Sequence, residues 1–285
     1  MNLFKSIYVM VFITAANVLS IYAVVQLVRG GDMLAWSGVV LANAPFALRL
    51  GWIMMMKDTP RTSAHFPLFI ALGILGVLLS VYAALKGGPV LALWLAAAGL
   101  AGFVLYSFWY SSFAGRGSDM LRPGTALIPF TLKSADGKKV RSSDFHGRPT
   151  ILMFYRGNWC PLCMAQIKEI ARAYQQIAAC GARVALISPQ PHKNTEALAR
   201  RFDVDFGFYT DEGNRAARAL GIASAWGVPF GMQMLGYKSE TVLPTVIITG
   251  PEGKILWADE TGNYRVRPEP ETFLSILRDH GFAPA

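Results

Sequence analysis

The sequence predicts an α-helical membrane region of about four transmembrane helices, followed by an α/β domain with a central mixed sheet. The 285-residue chain is 53% hydrophobic and only 16% charged, and its mean hydropathy is +0.35. Residues 1–115 hold six Lys or Arg and two Asp or Glu, so most of the charge lies in the second part of the chain. That second part alternates short apolar runs with amphipathic helical patterns, which is typical of α/β domains. We therefore expect a transmembrane region over residues 1–115 and a second domain over residues 120–285.

Three charge-free runs are as long as a membrane-spanning helix. Ser6 to Val28 covers about 23 residues, Phe66 to Leu85 covers about 20, and Gly87 to Ala114 is rich in Leu, Ala and Val. A helix rises about 1.5 Å per residue, so roughly 20 residues cross the hydrocarbon core of a bilayer. The first run is longer than the apolar core of a cleaved signal peptide, and we expect it to be a retained anchor.

A fourth run, Met33 to Met56, is a weaker candidate because Arg49 interrupts it and Pro45 stands near its middle. As a membrane helix it would kink at Pro45, and the Arg49 side chain would reach to the nearby interface. A re-entrant or interfacial segment is the alternative interpretation.

The distribution of basic residues predicts the sidedness of the protein. With four spans both chain ends lie on the same side, which then holds these basic residues: Lys5, Lys57, Arg61, Arg116 and Arg122. The opposite side holds Arg29 and Lys86. Since excess Lys and Arg marks the cytoplasm, we expect a multi-pass protein of the plasma (inner) membrane with a cytoplasmic second domain. A helix count that is off by one reverses this sidedness.

The net charge of +9 does not indicate a nucleic-acid partner, because the basic residues of the second part alternate with acidic ones along helix faces. Three cysteines are too few for a disulfide framework. The sequence indicates no cofactor and leaves the oligomeric state open. The expected non-protein partner of the first part is membrane lipid.

The second part alternates strands and helices before it ends in a hairpin and a helix. Strands are predicted at Ala126 to Leu132, Thr150 to Tyr155, Val184 to Ile187, Phe206 to Tyr209, Val242 to Ile248 and Ile255 to Ala258. Helices are predicted at Leu162 to Ala179, Thr195 to Phe202, Arg215 to Leu220 and Glu271 to His280. Because alternation is followed by a hairpin, the sheet is expected to be mixed.

Two of the three cysteines stand in the string Cys160-Pro161-Leu162-Cys163, which follows Trp159 and a predicted buried strand. Pro161 suits the first position of a helix, so Cys160 is expected at the helix N-terminus. The unpaired N–H groups there favour a thiolate and lower the pKa of the Cys160 thiol. We therefore expect Cys160 to be a nucleophile and Cys163 to be the resolving thiol, with a redox disulfide between them.

A zinc site is the structural alternative for this cysteine pair. Zinc takes about four ligands, and the remaining candidates show no paired spacing: Cys180, His146, His192 and His280. No metal is therefore predicted. Cys180 is expected to be a buried structural thiol, because about 17 residues of helix would place it roughly 25 Å from Cys160.

The string from Phe154 to Cys163, FYRGNWCPLC, resembles the peroxiredoxin-like branch of the thioredoxin superfamily, of the alkyl hydroperoxide reductase and thiol-specific antioxidant type. The resemblance covers about residues 120–281 and includes four shorter segments: Pro123-Gly124, Phe130 to Asp144, Leu243-Pro244-Thr245, and Tyr264 to Pro268. It implies a thioredoxin-like fold for the second domain. It also implies antioxidant oxidoreductase activity on hydroperoxides, with a thioredoxin-like or other dithiol electron donor.

The same resemblance implies two supporting residues, and a third is a candidate because of its position. Trp159 would shield and position Cys160, and Pro244 would be a cis-proline that faces the cysteines. A trans proline at the start of a strand is the alternative for Pro244. Arg156, four residues before Cys160, is a candidate source of positive charge, and a position in solvent or against an acid is its alternative.

The chain departs from this family at one point. Typical peroxiredoxins carry Pro-x-x-x-Thr-x-x-Cys, in which the threonine hydroxyl helps to hold the peroxide, but the corresponding positions here are Met153 and Gly157. The departure favours an alternative function, namely a protein thiol–disulfide reductase or oxidase that acts on protein disulfides without significant peroxidase activity. A second alternative is a membrane-tethered redox sensor or binding module.

Overall fold

The computed structural model describes residues 2–113 and 116–282. Contacts divide the chain into two units. The helical unit is formed by Ile7–Lys57 and Thr62–Ser112, and the α/β unit by Met1–Ser6, Asp58–Arg61 and Phe113–Ala285. Ala114 and Gly115, at which the third apolar run and the predicted transmembrane region end, lie outside the described residues, as do the last three residues of the predicted second domain.

In the part of the chain that the structure describes, four helices are long and apolar enough to cross a membrane. They are α1 (Asn2–Val28), α2 (Met33–Met56), α3 (Pro67–Leu85) and α4 (Val90–Val104), and a π-helical turn over Leu105–Tyr110 continues the last one. The number agrees with the predicted four. The α2 helix runs through Pro45, and its N-cap residue is Asp32, whose carboxylate accepts a hydrogen bond from the Ala35 backbone N–H at 2.8 Å.

Small residues allow close packing between α2 and α3. A Cβ atom on Gly38 would lie 2.4 Å from the Gly76 carbonyl oxygen, and a Cβ atom on Gly76 would lie 2.4 Å from the Gly38 carbonyl oxygen. The buried Ser80 hydroxyl donates to the Ala35 carbonyl oxygen at 3.1 Å. Close backbone approach through small residues, with hydroxyls bonded across helices, is typical of membrane helix packing.

The α/β unit contains a mixed seven-stranded sheet in the order β2-β1-β5-β4-β3-β8-β9. Its strands are β1 (Thr131–Ser134), β2 (Lys139–Arg141), β3 (Thr150–Phe154), β4 (Arg183–Ser188), β5 (Phe206–Thr210), β8 (Thr245–Thr249) and β9 (Ile255–Asp259). The short strands β6 (Ala223–Ser224) and β7 (Thr241–Val242) pair separately. Strands β3, β4 and β5 are parallel, while β8 is antiparallel to β3 and β1 is antiparallel to β5. The predicted mixed central sheet is confirmed.

Five helices accompany this sheet in the described part of the unit. They are α5 (Pro161–Arg172), α6 (Tyr174–Ala179), α7 (His192–Ala199), α8 (Arg215–Ala219) and α9 (Pro270–Asp279). The predicted helix from Leu162 to Ala179 is two helices, because the backbone at Ala173 leaves helical geometry with φ −89° and ψ 4°. The α7 helix begins three residues earlier than the predicted Thr195.

Strand β3 lies between β4 and β8, and all five of its residues are buried. Leu152 and Phe154 belong to a core that also contains Ala185 and Ile187 of β4 and Ile247 of β8. A buried central strand has two neighbours that hold its backbone in place. The chain that leaves the carboxyl end of β3 therefore starts from a rigid point.

Candidate active site

Strand β3 leads directly to the two cysteines. After residues 155–159 the chain enters α5 with Cys160 as the N-cap residue and Pro161 as the first helical residue. Both Cys160 and Cys163 are free thiols, and they are 2% and 0% exposed. Their thiols lie close enough to hydrogen-bond to each other. The predicted helix start and the predicted proximity of the pair are therefore present in the structure.

Arg267 is a buried cation in contact with both sulfurs. Its Nη1 atom lies 3.5 Å from Cys163 Sγ, and its Nη2 atom lies 4.0 Å from Cys160 Sγ. Nη1 also donates to Gln166 Oε1 at 2.9 Å, and Nε donates to the Tyr264 carbonyl oxygen at 3.0 Å. These bonds fix the guanidinium in place, and a positive charge at this distance favours a thiolate.

The pKa values of the two thiols shift in opposite directions in the reduced pair. Burial raises the pKa of the Cys163 thiol, but the hydrogen bond from Cys160 and the charge of Arg267 outweigh burial and lower that pKa to about 5. The pKa of Cys160 is raised, because its proton is held in the hydrogen bond with Cys163 and because the thiol is buried.

The sequence predicts the lower pKa at Cys160, and for the resting pair that prediction is wrong. A helix N-terminus favours a thiolate there, but its effect is smaller than that of a full charge nearby. The Arg267 guanidinium lies nearer to Cys163 than to Cys160, and its charge therefore stabilises a thiolate on Cys163 more than on Cys160.

Arg156 lies inside the α/β unit and is 8% exposed. Its guanidinium donates to the Gly227 carbonyl oxygen, and its Cζ atom lies 4.7 Å from the centroid of the Trp159 ring. The Tyr264 ring centroid lies 5.5 Å from the same Cζ atom. The predicted positive charge is present near the pair, where it acts to lower the pKa of Cys160 against the larger effects that raise it. The alternative of a side chain in solvent is excluded.

Gly157 adopts a backbone conformation that other residues rarely adopt, with φ at +140°. A Cβ atom at this position would lie 2.8 Å from Cδ1 and Nε1 of Trp159. A threonine or serine at position 157 would therefore collide with the indole ring. The Trp159 ring thus gives a physical reason why position 157 carries no hydroxyl side chain. The shielding of Cys160 by Trp159 stays a prediction.

Pro244 lies between β7 and β8, and it lines the same narrow cavity as Gln166 and Arg267. The prediction of a cis-proline is wrong, because the described residues contain no cis peptide bond. Pro244 instead directly precedes Thr245, the first residue of β8, as the trans alternative requires. Its carbonyl oxygen accepts a hydrogen bond from Arg116 Nη2 at 2.6 Å. Its supporting role in the chemistry stays a prediction.

A hydrogen-bond network supports the segment before Cys160. Gln190 Oε1 accepts from the Asn158 backbone N–H at 2.8 Å, and Gln190 Nε2 donates to the Tyr155 hydroxyl at 3.1 Å. The Tyr237 hydroxyl donates to Asn158 Oδ1. The network joins three separate parts of the chain, so it positions the start of α5.

The sequence alone did not indicate Arg267, Gln190 or Tyr237 as residues of the site. Arg267 is 104 positions away from Cys163, and no spacing rule links the two. One signal was available, because Arg267 lies within the segment Tyr264 to Pro268 that shares the family resemblance. Gln190 and Tyr237 carry no comparable signal, since a polar residue in a loop is most often solvated.

Two further predictions concern metal ligands and the third cysteine. Cys180 is a buried free thiol directly after α6, as predicted. Within residues 2–113 and 116–282, no group of three or more His, Cys, Asp or Glu side chains could hold a metal ion. His192, one of the histidines considered as a zinc ligand, begins α7, where its Nδ1 atom lies 3.0 Å from the Thr210 hydroxyl.

Residues 123–258 match the model of the AhpC/TSA family. This match agrees with the peroxiredoxin-like resemblance that the sequence shows in the second domain. This family and the mixed seven-stranded sheet confirm the thioredoxin-like fold that the sequence predicts for the second domain.

Chloroplastic peroxiredoxin Q of Sedum lineare is 32% identical over 106 residues, which make up 37% of this chain and 54% of that relative. Chloroplastic peroxiredoxin Q of Triticum aestivum is 35% identical over 106 residues, which make up 37% of this chain and 46% of that relative. The chain thus spans about half the length of these curated relatives. Among solved structures, peroxidoxin BcpB from Mycobacterium tuberculosis is similar with a TM-score of 0.47 and 18% identity, over 56% of this chain and 97% of that one.

Proposed function

We propose that the peroxiredoxin-like domain is a thiol peroxidase that reduces hydroperoxides at the Cys160–Cys163 pair. The observation that carries this proposal is a buried guanidinium in contact with two hydrogen-bonded sulfurs. Arg267 reaches Cys163 at 3.5 Å and Cys160 at 4.0 Å, so it stabilises a thiolate in the pair at neutral pH. The thiolate is the form of cysteine that attacks a peroxide.

The reaction needs two sulfurs and an external donor. A thiolate attacks the terminal oxygen of the hydroperoxide, an S–O bond forms, the O–O bond breaks, and the alkoxide takes a proton and leaves as an alcohol. The second sulfur then attacks the sulfenic acid, an S–S bond forms, and water leaves. Since the resting pair holds one proton, solvent supplies the second one. A dithiol donor of the thioredoxin type reduces the disulfide and is itself oxidised to a disulfide.

We assign the attack to Cys160 and the resolving step to Cys163, as the sequence predicts. Cys160 is 2% exposed and Cys163 is fully buried, so a peroxide meets Cys160 first. The thiolate rests on Cys163, and the shared proton therefore moves from Cys160 to Cys163 before the attack. The direct hydrogen bond between the sulfurs makes this a short transfer. The reverse assignment, in which Cys163 attacks, is the competing one.

Single serine variants test the function and the assignment together. We expect Cys160→Ser to abolish hydroperoxide consumption with a dithiol donor. We expect Cys163→Ser to abolish turnover as well but to leave a sulfenic acid on Cys160, which dimedone traps and mass spectrometry locates. Cys180→Ser is the matched control, because that buried thiol follows α6 outside the pair, and it should keep the parent rate.

The outcomes separate the alternatives. A dimedone adduct on Cys163 in Cys160→Ser would assign the attack to Cys163 instead. Turnover by Cys160→Ser at the parent rate would disprove the role of the pair. No turnover by the parent chain with any hydroperoxide would disprove the peroxidase.

Disulfide exchange on proteins is the second candidate function, and Gly157 favours it. The hydroxyl that holds a peroxide in the family motif is missing at this position, and the Trp159 ring occupies the space that a side chain would need. The insulin-reduction assay distinguishes the two functions when it is run beside the peroxide assay. A fast insulin rate with a negligible peroxide rate would replace the first candidate by the second.

We further propose that residues 1–115 anchor the domain in a membrane and that the domain is cytoplasmic. The four long apolar helices support the anchor, and the count of Lys and Arg supports the side. Met120 is 50% exposed in the α/β unit, so Met120→Cys provides an accessible label. In intact cells a membrane-impermeant thiol reagent should label it only after permeabilisation. Labelling without permeabilisation would place the domain outside.

A further inference from the structure

An open groove lies between α1 and α2 on the surface of the helical unit. Its volume is about 730 Å³, and all of its lining residues belong to these two helices. Ile21, Trp52 and Met55 line it and are 66%, 48% and 73% exposed. These exposures show that the apolar wall of the groove is open to the surroundings of the helical unit. An exposed apolar surface of this kind usually marks a site of contact with another molecule.

Asn17 is an exposed polar residue that lines this groove. Its Nδ2 atom donates to the Ile13 carbonyl oxygen at 2.8 Å, one turn earlier in α1. Among the described residues, its Oδ1 atom accepts no hydrogen bond, and the second N–H of Nδ2 makes none. Ser20 also lines the groove, but its hydroxyl already donates to the Ala16 carbonyl oxygen at 2.6 Å. The Asn17 amide is therefore left with one acceptor and one donor for a molecule in the groove.

Asn17 is the central residue of the charge-free run in α1. Ser6 and Val28, the two ends of that run, are each eleven residues away, which is roughly 16 Å along a helix. In a bilayer this position lies near the middle of the hydrocarbon core, where there is no water to bond a polar group. An amide without partners costs free energy there, and lipid acyl chains have no hydrogen-bond donor. A polar side chain of another membrane helix is the partner that satisfies it.

We propose that the groove is a dimerisation surface, at which a second copy of this chain packs its α1 helix against α1 of the first. A carboxamide is self-complementary, so two Asn17 side chains related by a two-fold axis exchange two N–H···O hydrogen bonds. A second copy is favoured over a lipid chain, which has no donor, and over a different protein, because it carries the matching amide at the same depth. The inference goes beyond the proposed peroxidase and rests only on the proposed membrane anchor.

Energy transfer between donor- and acceptor-labelled copies of the full chain measures dimerisation in phosphatidylcholine vesicles. Asn17→Leu removes the amide at an exposed position, so the helix does not depend on it. We expect about a tenfold rise in the dissociation constant of the dimer, since two hydrogen bonds between membrane helices are lost. Asn17→Gln keeps an amide and should lose less. Leu78→Ala, at a 58% exposed residue of α3 outside the groove, is the control and should change nothing. A monomeric parent, or equal constants for the parent and Asn17→Leu, would overturn the proposal.

Photo-cross-linking in the membranes of expressing cells tests which molecule occupies the groove. A benzophenone amino acid replaces Ile21, which lines the groove, or Leu78 as the matched control, since both are exposed apolar residues of membrane-length helices. We expect a covalent dimer of the chain after irradiation at position 21 and none at position 78. Lipid adducts alone at position 21 would overturn the proposal, as would adducts to a different protein. Equal yields of dimer at the two positions would overturn the role of the groove.

Extraction of the same membranes with alkaline carbonate distinguishes the failure of this inference from that of the proposed anchor. A chain that is released into the soluble fraction disproves the anchor and the dimerisation surface together. A chain that stays in the membrane as a monomer disproves the dimerisation surface alone. The peroxidase is decided separately by the serine variants of the cysteine pair.

Discussion

The two units of the molecule distribute apolar and charged side chains in opposite ways. In the helical unit large apolar side chains lie outside, and Val28, Leu48 and Leu85 are 82%, 74% and 81% exposed. Its buried positions are often small, as at Ala35 and Ser80. In the α/β unit the sheet buries the large apolar residues, and charged side chains are also buried there: Arg156, Asp211, Arg265 and Arg267.

The difference separates side-chain positions that the surrounding solvent explains from buried side chains whose burial needs another explanation. An outward apolar face needs only a lipid environment. A buried guanidinium costs free energy unless partners compensate for lost water. Arg267 has Gln166, the Tyr264 carbonyl group and the two sulfurs as partners. Its burial is therefore the feature of the α/β unit that most needs a functional explanation.

The largest expected effect comes from removing this buried charge. Arg267→Gln takes away the cation that stabilises the thiolate, so the pKa of the Cys163 thiol should rise toward that of an ordinary thiol, which is about 8.5. At pH of about 7 the thiolate fraction and the alkylation rate should then fall about 30-fold. The measurement is the iodoacetamide rate of the reduced chain. Arg218→Gln, at a 58% exposed arginine paired with Glu240, is the control and should change nothing.

An unchanged rate in Arg267→Gln would remove the functional explanation for the buried charge. Circular dichroism before the assay shows whether the variant is folded, so a structural failure is recognised separately.

The next effect is the dependence of the same alkylation rate on pH. The pKa of Cys163 is lowered to about 5, so the thiolate persists as pH falls and is lost only as pH passes below that value. We expect a nearly constant rate from neutral pH down to about 5 and a tenfold loss for each further unit. In denaturant the loss should begin near 8.5, the ordinary value for a thiol. The same midpoint in both conditions would show that the folded site does not shift the pKa.

In the helical unit the corresponding test adds a methyl group at the close contact between α2 and α3. Gly76→Ala places a Cβ atom 2.4 Å from the Gly38 carbonyl oxygen, so α2 and α3 must separate. We expect a destabilisation of about 1–3 kcal/mol, measured by thermal unfolding in detergent. Gly51→Ala is the control, since no atom lies within 4 Å of its added Cβ atom, and it should be neutral or slightly stabilising. Equal effects of the two would contradict close packing between α2 and α3.

The smallest expected effect concerns one buried hydrogen bond. Thr241 is 1% exposed, and its hydroxyl donates to the Arg156 carbonyl oxygen at 2.9 Å. Thr241→Val keeps the shape and leaves that carbonyl oxygen without this donor, which should cost about 1 kcal/mol of unfolding free energy. Thr125 makes an equivalent bond to the Arg122 carbonyl oxygen at an exposed site, so Thr125→Val should have almost no effect. Equal losses of unfolding free energy in the two variants would show that burial does not determine how much this hydrogen bond contributes to stability.

Local patterns were sufficient to predict most of the sheet and the position of the cysteine pair. Apolar runs of strand length are visible in one sequence, and Pro161 marks the start of α5 without any partner. The sequence did not show that Cys163, rather than Cys160, holds the thiolate. That choice depends on the distances from Arg267 to two sulfurs, and such distances arise only when residues far apart in the chain fold together. The break at Ala173 was also missed, since an alanine usually favours a continuous helix.

Gly157, with its left-handed backbone, lies directly beside the Trp159 ring, so the residues that each of these two positions can carry depend on the other position. A threonine at 157 would place its Cβ atom 2.8 Å from the indole ring. The hydroxyl can therefore be added only where position 159 carries a smaller residue. An engineer who wishes to add it must change position 159 before position 157 or together with it.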